Sequence, residues 1–63
     1  MTPEERQQAD HLLRELENVR RALVVAEFHA QEAGLTITAG QLDDLRRQTR
    51  NIQKRTEVGL EFV

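Results

Sequence analysis

Apolar residues recur along the first half of the chain at Ala9, Leu12, Leu16, Val19, Leu23, Ala26, Ala30 and Ala33, at alternating spacings of three and four. Such spacing keeps the side chains on one stripe of an α-helix and repeats every seven residues. It predicts a long helix packed lengthwise against other helices. The same spacing resumes at Leu42, Leu45, Thr49, Ile52 and Thr56, a shorter and more polar stripe that predicts a second helix.

Local signals place the ends. Thr2-Pro3-Glu4-Glu5 combines a hydroxyl cap, a proline at the first helical position, acids against the positive end of the helix dipole, and a glutamate three residues after the cap. No glycine or proline follows until Gly34. Residues 3–33 are therefore expected as one helix, about 46 Å long at the usual helical rise. Gly34-Leu35-Thr36-Ile37-Thr38 is the expected turn, with Thr38 capping the second helix, Gln41 as its capping-box partner, and Ile37 and Leu42 as a hydrophobic staple. The second helix is expected over 39–58, with Gly59 as terminator and an apolar tail over 59–63.

So short a turn makes the two helices antiparallel neighbours. Paired outward from the turn, Ala30 faces Leu42, Ala26 lies near Leu45, Leu23 near Thr49, Val19 near Ile52 and Leu16 near Thr56. Most of these layers match a larger residue with a smaller one, as interdigitated packing requires. The expected fold is all-α: one antiparallel helical hairpin over 1–63, assembling into a four-helix bundle or a larger helical oligomer. The second helix is the shorter, so Val58, Leu60 and Phe62 are expected to fold over the first turns of the first helix, at Leu12, Leu13 and Leu16, within the chain or across a dimer.

Composition supports association. Sixty-three residues without cysteine make a small core with no disulfide and no thiolate metal site. A chain of that size usually needs a partner subunit or very regular helix packing. Hydrophobic residues at 38% are too many for a disordered chain, and aromatics at 3% are few. Outside the main stripe, Val24, Val25 and Phe28 make the first helix apolar almost all round between residues 22 and 28, which implies a second packing surface. The candidate oligomer or partner interface is thus Leu12, Leu16, Val19, Leu23, Val24, Val25, Phe28, Leu60 and Phe62.

Charge qualifies this picture in one place. The net charge of -2 gives no general attraction to nucleic acid or anionic lipid. The second helix nevertheless carries Arg46, Arg47, Arg50, Lys54 and Arg55 within ten residues, with Arg47, Arg50 and Lys54 at helical spacing on one face. Those five are the candidate nucleic-acid contacts. The competing reading is a set of ion pairs with Asp43, Glu57 and the acids of the first helix. No aromatic residue is interleaved to stack on bases, which favours backbone contact over single-strand recognition.

No catalytic, cofactor-binding or metal-binding set is expected. His11 and His29 are eighteen residues apart on one helix, roughly 27 Å at helical rise, too far to share an ion within a subunit. Asp43 and Asp44 fall in the expected first turn of the second helix, where the dipole accounts for them. No phosphate-binding, dinucleotide-binding or zinc-ligand spacing occurs. The longest apolar run, Ala22 to Ala26, is too short to span a membrane, and no basic segment followed by an apolar one opens the chain. A cytoplasmic location is expected, in the host if the chain is phage-encoded.

The hairpin layout resembles two groups. One is the small RNA-binding hairpins that control plasmid copy number, which dimerise into four-helix bundles. The other is the short all-helical accessory proteins of lambdoid bacteriophages, similar in length, in the capped first helix, in the Gly34-Leu35-Thr36-Ile37-Thr38 turn and in the short second helix. The resemblance implies a non-enzymatic regulatory or adaptor protein acting by protein–protein interaction, and carries over no residue motif. A nucleic-acid-binding regulator and a structural assembly subunit are the alternatives.

Overall fold

In a computed structural model, which describes residues 1–62, the chain is two long antiparallel helices joined by a tight turn, α1 (Pro3–Glu32) and α2 (Thr36–Glu61). The hairpin is a rod whose Cα atoms span 47 × 16 × 10 Å. It starts as the capping signals require: Thr2 is extended, and its Oγ1 accepts a hydrogen bond from the Glu5 N–H at 3.1 Å while donating to Glu5 Oε1 at 3.2 Å. Gly34, at φ 75°, closes α1 in the left-handed conformation. The Leu35 N–H reaches the Ala30 carbonyl at 2.9 Å and the Gly34 N–H reaches that of Gln31 at 3.0 Å. These are the two reversed bonds of a Schellman motif, and they satisfy carbonyls that the helix end would leave unpaired.

The turn corrects the expected start of the second helix. The Schellman bonds deliver Leu35 in a position to accept the first helical bond itself, from the Ala39 N–H at 2.9 Å, so α2 begins at Thr36. Thr38 lies inside the first turn and does not cap it. The earlier start sets Ala39 against Ala30 where the rods diverge from the turn, and these two alanines, 5% and 7% exposed, are the buried residues among those described. Side chains this small let two backbones approach closely.

The far end is corrected too. Gly59 does not stop α2, which continues through Leu60 to Glu61. Val58 and Phe62 stay exposed, Phe62 at 83%, and do not fold back over Leu12. Leu60 alone takes the covering role, half-buried beside Leu13 at the edge of a groove. Val63, the last residue of the expected tail, lies outside the described residues.

The largest correction is rotational. The buried or half-buried residues of α1 are Ala9, Leu13, Leu16, Glu17, Arg20, Leu23, Ala26, Glu27 and Ala30; those of α2 are Ala39, Leu42, Asp43, Arg46, Thr49, Gln53, Thr56 and Leu60. Apart from the flanking Glu17, Ala26 and Asp43, both sets keep three-and-four spacing, the a and d positions of a hairpin seam. Leu13 and Arg20 have taken the places expected for Leu12 and Val19, and Glu27 joins the half-buried Ala26, a rotation of α1 by about half a residue step, or about 50°. Leu12 and Val19 remain largely exposed, as do Leu45 and Ile52 on α2. Lengthwise alignment survives the rotation: Glu27 meets Arg46 and Glu17 meets Gln53, within about one residue of the expected pairing.

Candidate functional site

With a and d defined by that seam, each helix has two flanking rows, e and g. In an antiparallel pair the two e rows share one side of the hairpin and the two g rows share the other. The groove lined by Glu17, Arg20, Arg50, Gln53, Lys54 and Glu57 brings the e residues of both helices together and so locates the e side directly.

The e side is a polar network. Glu17 sits at its centre, receiving Arg20 Nη2 on Oε1 at 2.6 Å and Arg20 Nε on Oε2 at 3.1 Å. Gln53 Nε2 crosses from α2 to donate to Glu17 Oε2 at 2.9 Å, and Arg21 Nε adds a bond at 3.2 Å. The Arg20 guanidinium, then the Gln53 amide and Arg21, hold the Glu17 carboxyl far below the usual carboxylate range, at about 2. Arg20 is correspondingly raised by Glu17. About two helical turns away, Arg46 bridges Asp43 on its own helix and Glu27 on the other at 3.4 Å, and Arg47 reaches Asp43 Oδ2 at 3.0 Å. The grooves alongside are open and shallow.

The g side is apolar. Leu12, Val19 and Ala26 of α1 stand beside Leu45 and Ile52 of α2, with the d residues Leu16, Leu23, Leu42, Thr49 and Thr56 between them. Both threonines turn their hydroxyls back along their own helix: Thr49 Oγ1 donates to the Leu45 carbonyl and Thr56 Oγ1 to the Ile52 carbonyl, each at 2.8 Å. Each hydroxyl is thereby satisfied without a partner outside its helix. Part of each sequence stripe thus packs in the seam, while Leu12, Val19, Leu45 and Ile52 are left side by side on one face of the rod.

The remaining candidates lie elsewhere. Val24 occupies an e position, and with Phe28 it flanks a groove whose other walls are Glu27, Gln31 and Arg46. Val25 points away from both sides, and all three are exposed. His29 packs edge-on against Phe28, ring centres 5.6 Å apart. Phe62 projects from the far end and Leu60 closes the seam there. Of the five basic residues, Arg46 and Arg47 are engaged by Asp43 and Glu27, while Arg50, Lys54 and Arg55 form no ion pair among the described residues. The e-side network escaped sequence reasoning, although Glu17, Arg20, Glu27, Arg46 and Gln53 at three-and-four spacing were its available signal. No known family model, curated protein or solved structure matches the chain. No helix among the described residues is long and apolar enough to cross a membrane.

Proposed function

We propose that this chain is a non-enzymatic interaction protein, a helical hairpin that works as a small regulatory or adaptor subunit by packing its uncovered apolar surface against other protein. One observation carries the reading. The folded hairpin exposes 5035 Å², whereas a compact protein of 7.3 kDa exposes roughly 4,200 Å² by the usual scaling with mass. Among the residues left in water are Leu12, Val19, Val24, Val25, Phe28, Leu45 and Ile52. Apolar patches of this kind mark sites of protein contact. The layout resembles the short all-helical accessory proteins of lambdoid phages, and a phage or mobile-element origin belongs to the same proposal.

A nucleic-acid-binding regulator is the second reading, favoured by Arg50, Lys54 and Arg55, which form no ion pair among the described residues. It is the weaker one, because Glu17 and Glu57 share the groove with Arg50 and Lys54 and offset their charge. A structural assembly subunit would instead form open-ended oligomers. Immobilised chain challenged with bacterial extract at low and moderate salt separates them. Capture of a defined protein that persists at moderate salt and disappears with Phe28→Asp supports the first reading. Retention of nucleic acid that falls steeply with salt supports the second. Capture of neither, with open-ended assembly by light scattering, would leave the structural reading.

A further inference from the structure

We infer that the g side is the seat of a second copy of this chain, which closes a four-helix bundle over Leu12, Val19, Leu45 and Ile52 and leaves the polar network and Phe28 on the outside. The inference deepens the reading of the chain as an interaction protein, and rests on it, by assigning one face to self-association and freeing the other for a different partner.

Three observations carry it. First, the face is uncharged over most of its length: beyond Glu5 in the first turn, no d or g position from Ala9 to Ala33 on α1, or from Thr38 to Gly59 on α2, holds an ionisable residue. The rows bordering it are mostly polar, with Gln8, Glu15, Ala22 and His29 on one edge and Gln41, Gln48 and Arg55 on the other. An apolar centre inside a polar rim is the anatomy of a protein interface. The mixed rim lacks the excess of basic residues with which an amphipathic surface engages anionic lipid.

Second, the face complements itself. On α1 it is bulky in the N-terminal half, at Leu12, Leu16, Val19 and Leu23, and small toward the turn, at Ala26 and Ala30. On α2 the order is reversed in space: Leu42 and Leu45 lie near the turn, Ile52 at mid-rod, and Thr56 and Gly59 near the chain ends. A two-fold partner laid face to face therefore sets large residues over small ones toward both ends of the rod, with Val19 and Ile52 in its middle.

Third, the single hairpin leaves surface uncovered: it exposes 5035 Å² against roughly 4,200 Å² for a compact protein of 7.3 kDa, and Leu12, Val19, Leu45 and Ile52 of this face are among its exposed large apolar residues.

The test uses the absence of cysteine from the chain. Light scattering of the unmodified protein should give the mass of two chains. Single variants Leu45→Cys, on the g side, and Val25→Cys, away from it, are then alkylated over a range of protein concentration. Leu45→Cys should slow by roughly tenfold or more as the concentration passes through the association range, with Val25→Cys nearly unchanged. Val19→Glu with Ile52→Glu should abolish the dimer; because that variant can also unfold, the thiol protection of the folded single variants decides. A folded monomer with Leu45→Cys freely reactive at all concentrations overturns the inference. So does a dimer that protects Val25→Cys instead. Either result leaves the Phe28→Asp capture experiment standing, so the failure of this assignment is distinguishable from failure of the interaction reading.

Discussion

The two sides of the hairpin solve the same packing problem with opposite chemistry. On the e side, helix meets helix through charge: Glu17 gathers Arg20, Arg21 and Gln53, and Arg46 ties Asp43 to Glu27. On the g side the same two helices present Leu12, Val19, Leu45 and Ile52 and bury none of them fully. A partly exposed ion-pair network adds little stability, because water competes for both charges. It does fix which way the helices face each other, since a rotation would leave Glu17 without Gln53 and Glu27 without Arg46. The polar side thus sets orientation, and the apolar side keeps Leu12, Val19, Leu45 and Ile52 available for association.

That division predicts unequal responses. The strongest should come from Leu23→Ala, at a d position that borders both the hairpin seam and the g face. Loss of its buried methyl groups should cost about 2–4 kcal/mol and reduce association as well, read by thermal unfolding at several protein concentrations. A concentration-independent loss would show that the g face contributes nothing beyond the single chain.

Acid should act through the other side. Because Glu17 is held down to about 2 in the folded chain, against about 4.3 for a free glutamate, its contribution is present above the ordinary value. It is lost as pH falls from there through about 2. The melting temperature of the unmodified protein should decline over that window, and Glu17→Gln should remove the part of the decline that Glu17 causes while starting lower at neutral pH. Identical pH profiles would mean that the network does not hold in solution.

Smaller effects sharpen the contrast. Gly40 is helical, lies off both sides, and has open space where a Cβ would go, so Gly40→Ala should raise stability by about 0.5–1 kcal/mol through helix propensity without changing the oligomeric mass. Thr49→Val should shift stability by less than about 0.5 kcal/mol and leave association intact, because the hydroxyl bonds only its own helix. A large loss there would place a polar partner on the g side.

Much of this architecture was legible in the chain. The Thr2 cap, Pro3, the left-handed Gly34 and the lengthwise alignment of the helices follow from local rules and from chain connectivity. The start of α2 was not, because two local signals competed: the capping box at Thr38 and Gln41 suits an isolated helix, whereas the Schellman bonds at Gly34 and Leu35 let the helix restart three residues sooner. Gly59 misled for a similar reason. A glycine permits a stop without imposing one, and Leu60 one residue further packs against Leu13.

The rotation of the seam was beyond any periodicity argument. The three-and-four spacing on each helix, Ala9 to Ala33 and Leu42 to Thr56, established by itself that there are two long helices, that they fold back on each other, and that each has an apolar side. Which neighbour that side meets was settled only in three dimensions. Periodicity records how far an apolar stripe extends around one helix, but the choice between Leu12 and Leu13, or between Val19 and Arg20, depends on pairing energies such as Glu17 with Gln53 that exist only once both helices are in place.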